Sequence, residues 1–359
     1  MRWDAQALAP QRGPALGDNS YSAASGAAPA LDVLLPLAGL VRSVSTPEFS
    51  GVTFHEVTAK SVLNKVASGS RMPFEWTINP YRGCSHACVY CFARKTHTYL
   101  EFDAGHDFDS QVVVKINAPE VLRQELAKPS WGHHQVALGT NTDPYQRAEG
   151  RYRLMPGIIQ ALAESGTPFS ILTKGTLLGR DIPLLKQAAS QVTVDLGISL
   201  AMTDESLAAA VEPGTPAPRA RLKLIRRLRE AGLRCGVMAM PILPWLTDSD
   251  EALDSLFSAL SGAGATGVTA GALYLKPGTR EWYMQWLATH HPRLVGKYEL
   301  LYGKGSYASK DYRSWLNGRV AFFKARHGFS GSSGFSHRNA GATTESVTQS
   351  ATVGQATLF

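Results

Sequence analysis

Short apolar runs alternate with longer stretches whose apolar positions recur every three or four residues, and this alternation dominates the middle of the chain. The short runs predict strands at 75–79, 135–139, 169–173, 193–200, 234–240 and 267–275. The longer stretches predict helices at 119–126, 154–165, 178–189, 218–231 and 249–262. Strand–helix alternation of this kind builds a parallel sheet wrapped by helices, because each crossover must carry the chain back to the starting edge of the sheet. Six such units predict an α/β fold: a partial (β/α)6 TIM-like barrel, open on one side. A further apolar run at 112–116 reads as a strand with no assigned place in that sheet.

The two ends lack this rhythm. Residues 1–46 are rich in Ala, Gly, Pro and Ser and predict a disordered or loosely attached segment; residues 330–359 predict a disordered tail. Between them lie a core at 47–276 and a basic, aromatic, helical extension at 277–329.

Composition narrows the class. With 359 residues, 44% of them apolar, the chain can bury a large core. No apolar leader or membrane span is evident, which predicts a cytoplasmic protein without membrane contact. The net charge of +7 favours an anionic partner. Eight basic residues against Glu299 and Asp311 fall between His290 and Phe329, interleaved with Trp282, Tyr283, Trp286, Tyr298, Tyr302, Tyr307, Tyr312 and Trp315. Cations with aromatics can form a nucleic-acid surface, but the amphipathic spacing of these aromatics favours packing against the barrel. A second basic run, 219–234, carries Leu222, Ile225, Leu228 and Leu233 at helical spacing and reads as a core-facing helix with a solvated cationic face.

Chemistry concentrates in Asn79-Pro80-Tyr81-Arg82-Gly83-Cys84-Ser85-His86-Ala87-Cys88-Val89-Tyr90-Cys91-Phe92-Ala93-Arg94, which holds three of the four cysteines. Clustered cysteines spaced Cys-x3-Cys-x2-Cys point to an iron–sulfur cluster, and three thiolates on a four-iron cubane leave one iron open to a ligand. A structural zinc knuckle completed by His86 or His97 is the competing reading, although zinc favours paired Cys-x2-Cys hooks. Parallel barrels gather reactive groups at the C-terminal ends of strands. That rule places the cysteine loop, Thr140, Asn141, Thr142, Asp143, Lys174, Ser199 and Pro241 at one rim.

On the cysteine run, and on Gly139-Thr140-Asn141-Thr142-Asp143-Pro144-Tyr145-Gln146, the chain resembles the radical S-adenosylmethionine (radical SAM) superfamily. The likeness spans about Pro47 to Gly328 and is greatest to the spore photoproduct lyase-like branch, in particular to an uncharacterised bacterial group within it. The resemblance implies a [4Fe–4S] cluster on Cys84, Cys88 and Cys91, with S-adenosylmethionine chelating the open iron and reductively cleaved to a 5′-deoxyadenosyl radical. It implies that Tyr90 packs on the adenine, and that Thr140, Asn141 and Asp143 lie at the methionine amino group. By the same likeness Lys174 lies near the carboxylate with Ser199 on the next strand, and Arg221, held by Glu212, clamps that carboxylate. An Asx-type turn at Asp143 and ordinary surface roles for Lys174 and Arg221 are the alternatives.

Hydrogen-atom abstraction from an unidentified substrate follows from the resemblance, with nucleic acid as one substrate class and a reductant such as flavodoxin or ferredoxin as partner. A DNA-associated adaptor or redox sensor with a structural cluster is the alternative function. The lyase that gives the branch its name donates a hydrogen atom from a cysteine at the position Thr140 fills, and Cys235 sits at the start of the fifth strand; thymine-dimer repair by that route is not expected. Finally, Gln355-Ala356-Thr357-Leu358-Phe359 is similar to the short peptide that docks on the bacterial DNA sliding clamp.

Overall fold

Strands covered on both faces read as unbroken apolar runs, because neither side meets water. The central strands satisfy this: Val136–Leu138, Phe169–Thr173, Val194–Ser199 and Cys235–Ile242 are almost wholly buried. In the computed structural model, which describes residues 37–67 and 74–329, the strands are β1 Leu40–Ser45, β2 Thr53–Val57, β3 Leu63–Lys65, β4 Trp76–Ile78, β5 Tyr81–Arg82, β6 Gln111–Lys115, β7 Val136–Leu138, β8 Phe169–Thr173, β9 Val194–Ser199, β10 Cys235–Ile242 and β11 Val268–Ala272.

A seven-stranded sheet runs β11-β10-β9-β8-β7-β4-β3. All its pairs from β4 to β11 are parallel, and β3 adds an antiparallel edge. Strands β3 and β11 do not pair with each other, so the sheet is open, as the six strand–helix units predict. Helices Ala118–Leu126, Leu154–Glu164, Ile182–Ala189, Pro218–Glu230 and Asp250–Gly262 supply the crossovers and bury their apolar faces in one continuous core with the strands.

Three local readings of the sequence change. The helix expected from 178 begins instead at Ile182 after a tight turn at Thr176–Arg180, because Pro183 has no N–H to donate and belongs in a first turn. On Pro218–Glu230 the buried stripe is Arg221, Leu224, Ile225 and Leu228, with Leu222 at its margin. An arginine thus sits on the core-facing side, while Lys223, Arg226 and Arg229 face outward as expected. Residues 40–45, expected to be disordered or loosely attached with the rest of 1–46, form β1. Their stability comes from an antiparallel ladder with β2 and the Arg42–Glu56 ion pair at 2.7 Å, neither of which leaves a periodic mark in a short segment.

The apolar run at 112–116 finds its place here. As β6 it lies inside a separate four-stranded sheet, β1-β2-β6-β5, between β2 and β5. Helices Thr279–His290, Val295–Tyr302 and Lys310–Arg326 form the C-terminal extension. Tyr283, Trp286, Tyr298 and Tyr302 are buried with Cys88, Val89 and Tyr90, so these aromatics pack rather than offer a stacking surface. Among the described residues no helix is long and apolar enough to cross a membrane. Residues 1–36 and 330–359, with the segment Gln355 to Phe359, lie outside the described residues.

Candidate functional site

The cysteine loop follows β5, and neighbouring elements fix it through backbone groups. The Cys84 N–H donates to Phe108 O at 2.8 Å and the Val89 N–H to Val211 O at 3.0 Å. Gln146, fully buried, accepts from the Ser85 N–H at 3.0 Å and donates to Gly83 O at 3.0 Å. The two sequence runs singled out above therefore interlock: the amide ending the second holds the backbone on either side of Cys84 in the first. Arg94, also fully buried, donates to Cys88 O at 3.0 and 3.2 Å, pairs with Asp109 at 2.9 Å, and lies 4.8 Å from the Trp282 ring. Thr279 Oγ1 donates to Cys91 O at 2.9 Å, which ties the C-terminal extension to the same loop.

Cys84, Cys88 and Cys91 face one cavity of about 190 Å³ at the C-terminal ends of the parallel strands. Also in its wall are His86, Tyr90, Asn141, Asp143, Lys174 and Ser199. Gly139 lines it too; its φ of +85° and a hypothetical Cβ only 1.9 Å from Leu172 O leave room for no other residue. Thr140 and Arg221 are not in the wall. The rest of the wall is largely apolar, with Leu172, Met238, Met240, Leu273 and Tyr274.

Glu212 organises the polar side. It accepts hydrogen bonds from Tyr90 Oη and from Arg221 Nη2 at 2.5 Å, and lies 3.2 Å from Lys174 Nζ. Lys174 Nζ also donates to Ser199 Oγ at 2.7 Å and stands 5.6 Å from the Tyr90 ring centroid. Burial opposes the charge on Glu212, but Arg221 and Lys174 outweigh it and hold the carboxyl far below the usual carboxylate range. Two cations against one carboxylate leave a surplus positive charge beside the cavity, and Lys174 carries it to the wall. Arg221 itself is committed elsewhere: its remaining donors go to Pro216 O at 2.9 Å, Ser199 O at 3.0 Å and Thr215 Oγ1 at 3.2 Å.

Asp143 forms the Asx turn that was the alternative reading, accepting from the Tyr145 N–H at 2.8 Å. It also accepts from Thr173 Oγ1 at 2.5 Å and the Lys174 N–H at 2.7 Å, and lies 3.3 Å from His86 Nδ1. Burial opposes its charge, yet His86 and these donors hold its carboxyl below the usual range. Its oxygens are therefore spent on joining the ends of β7 and β8 to the cysteine loop, and Asn141 carries the adjacent polar contact with the cavity.

The donor set suits an iron–sulfur cluster. None of the cysteines is in a disulfide, and burial pushes the Cys88 thiol up and the Cys91 thiol up to about 11. Thiols of that kind ionise when a metal takes them, so binding and deprotonation are coupled. Among the described residues no three His, Cys, Asp or Glu side chains converge as a single metal ion requires. The histidines that a zinc knuckle would recruit are engaged: His86 with Asp143, and His97 Nε2 with Gln111 O at 2.9 Å. A polynuclear cluster instead spreads its thiolates over separate irons.

Residues 78–256 match the family model of the radical SAM superfamily. The chain belongs to the radical SAM superfamily. Membership implies a [4Fe–4S] cluster and S-adenosylmethionine as cofactors. An uncharacterised protein of Mycobacterium tuberculosis is 55% identical over 359 residues, covering 100% of both chains. An uncharacterised protein of Methanocaldococcus jannaschii is 28% identical over 200 residues, covering 55% of this chain and 71% of the relative. In fold the chain is similar to a cysteine-to-serine mutant of spore photoproduct lyase, with TM-score 0.58, 15% identity, and 77% and 80% of the two chains covered. A double mutant of that lyase with bound AdoMet and dinucleoside spore photoproduct gives TM-score 0.54 at 15% identity, covering 75% and 77%.

Sequence reasoning missed Arg94, Gln146 and Tyr274 as individual contributors. Arg94 and Gln146 stood inside the conspicuous runs, but with Lys95 and Arg147 beside them nothing local marked them as buried. Tyr274 lies just past β11, where the strand-end rule points but no motif marks it.

Proposed function

We propose that this radical SAM enzyme holds its cluster on Cys84, Cys88 and Cys91, binds S-adenosylmethionine in the adjoining cavity, and abstracts a hydrogen atom from a substrate presented at its open rim. One observation carries this reading: three clustered thiols and a lysine with surplus charge share the wall of a single cavity at the C-terminal ends of a parallel sheet. When bound, the two cofactors supply a 5′-deoxyadenosyl radical by reductive cleavage of the sulfonium.

The chain's own groups bind, orient and exclude water. Lys174 offers its surplus charge to a carboxylate, with Ser199 and Glu212 fixing the ammonium. The Asn141 side-chain oxygen is an acceptor for an ammonium. The Tyr90 ring, locked through its hydroxyl to Glu212, gives an immobile aromatic wall. Arg221 acts through Glu212 and Ser199 rather than by touching ligand. The apolar part of the wall, Leu172, Met238, Met240 and Leu273, limits water at the reacting centre.

The substrate is not set by these groups, although the net charge of +7 favours an anionic one, nucleic acid among them. Neither Thr140 nor Cys235 places a hydroxyl or free thiol in the cavity wall. Anaerobically reconstituted protein incubated with S-adenosylmethionine and dithionite should release 5′-deoxyadenosine. Its absence from protein with a full cluster content would favour the adaptor or redox-sensor function instead.

A further inference from the structure

A second cavity, of about 270 Å³, adjoins the first and is lined by Asn64, Asn79, Arg82, Thr96, Lys115 and Asn141. Tyr99, 81% exposed, stands at its lip. Asn141 lines both spaces, and its Nδ2 lies 3.5 Å from Thr96 Oγ1 on the wall between them. The chemistry of the two cavities differs. Much of the first wall is apolar, whereas the second is lined by two cations, three amides and two hydroxyls, with no carboxylate among the described residues of its wall.

Arg82 and Lys115 come from the paired strands β5 and β6, where Tyr81 stands opposite Val114 and Arg82 opposite Val113. Among the described residues no carboxylate pairs with either. Glu125, the acid that acts on Lys115, is occupied by Ser61 Oγ at 2.6 Å and by the N–H groups of Val62 and Leu63 at 3.0 Å. Burial, with Arg82 adding repulsion, pushes the Lys115 ammonium down to about 8. Cations withdrawn from water are normally compensated, so Arg82 and Lys115 in one wall that holds no carboxylate mark a site that an anionic ligand completes.

Resting on the radical SAM reading above, we infer that this cavity holds a phosphate group of the substrate, gripped by Arg82 and Lys115, and so sets which part of the molecule reaches the cysteine cavity past Asn141. A guanidinium fork and a point ammonium together suit a phosphate, whose oxygens accept from several directions. The phosphate can belong to a small phosphomonoester or to the phosphodiester chain of a polynucleotide. A monoester carries about 1.5 to 2 negative charges and matches both cations. The exposed Tyr99 ring offers a base a stacking face in the polynucleotide case.

Titrating inorganic phosphate, and separately a single-stranded oligothymidylate, into the reconstituted holoprotein by calorimetry tests this. Saturable phosphate binding is expected, weakened about tenfold or more by Arg82→Ala and by Lys115→Gln. Oligothymidylate that competes with phosphate assigns the site to a polynucleotide; phosphate binding without such competition assigns it to a small monoester. Arg82 is exposed, so its variant tests the site without threatening the fold. Absence of saturable phosphate binding, or wild-type affinity in both variants, overturns the inference. Release of 5′-deoxyadenosine by the wild-type protein is measured alongside. If it fails while phosphate still binds, the radical reading falls; if phosphate fails while it persists, only the anion site falls.

Discussion

Gly214 presses against the cysteine loop so closely that a Cβ at this position would stand 1.9 Å from Ser85 O, and its N–H donates to His86 O at 3.0 Å. The loop that carries the three thiols is thus moulded on a glycine more than a hundred residues away. Both contacts are to backbone, which cannot swing aside as a flexible side chain can. Gly214→Ala should lower stability by about 1–3 kcal/mol through overpacking and displace Ser85 and His86, next to Cys84. The expected outcome is a lower melting temperature with reduced iron and sulfide after anaerobic reconstitution. Wild-type iron content in this variant would show that the contact does not set the loop.

The three loop thiols and Cys235 should separate cleanly. Cys84→Ser, Cys88→Ser and Cys91→Ser should each lose the cluster absorption. Cys235→Ala should keep it and continue to release 5′-deoxyadenosine. Cys235 is fully buried at the N-terminal end of β10, remote in the sheet from the strand ends that hold the cavity, and burial pushes its thiol up to about 12. It behaves as a small apolar side chain, and its loss should cost about 1 kcal/mol. Visible spectroscopy and iron analysis on all four variants decide the ligand set.

Glu212 links Arg221 to Lys174, so its substitution should act on both stability and ligand binding. Glu212→Gln leaves the buried Arg221, and Lys174 at the cavity wall, without their shared counter-charge; breaking the buried Arg221 pair costs about 3–5 kcal/mol. Lys174→Met removes the surplus charge at the cavity wall and leaves Glu212 paired with Arg221. It should retain the cluster and the fold while weakening S-adenosylmethionine binding about tenfold or more. Lys174→Arg should recover part of that affinity. Equilibrium dialysis with labelled S-adenosylmethionine, run beside a denaturant melt, separates the two effects; equal affinity in Lys174→Met would exclude the lysine from the carboxylate.

The core strands and crossover helices were legible because burial on both faces, or on one stripe, writes a period into the sequence, as in Phe169–Thr173 and Pro218–Glu230. The three cysteines were legible because soft ligands at fixed spacing have few other uses. Hidden from that reading were interactions closed by the fold alone. The exchange of partners between Gln146 and the cysteine loop joins residues some sixty positions apart. Arg221 read by resemblance as a ligand clamp held by Glu212; the Glu212 contact is present, and its helix turns the guanidinium inward so that it also donates to the Ser199 carbonyl. Strand β1 went unnoticed because pairing with β2, rather than its own composition, orders it. The Arg82–Lys115 cavity left no signal, since its cations are brought together only by the register of β5 on β6.

Lys115 should make stability depend on pH in the alkaline range. Its ammonium is pushed down to about 8, first by burial and then by Arg82, with Glu125 opposing the shift. Between that value and the ordinary lysine value of about 10.4, the unfolded chain binds more protons at this site than the folded one, so stability rises with pH across the window. Below about pH 8 the folded protein carries the partly buried charge and bears its penalty, on the order of 1–3 kcal/mol. Lys115→Met should therefore raise the urea midpoint at pH 7 and give a shrinking advantage as pH approaches 10. Paired with loss of phosphate binding, that gain would show a cation kept against stability for the sake of a ligand. A urea midpoint for Lys115→Met equal to or below the wild-type value at pH 7 would mean that Lys115 is already compensated in the folded protein.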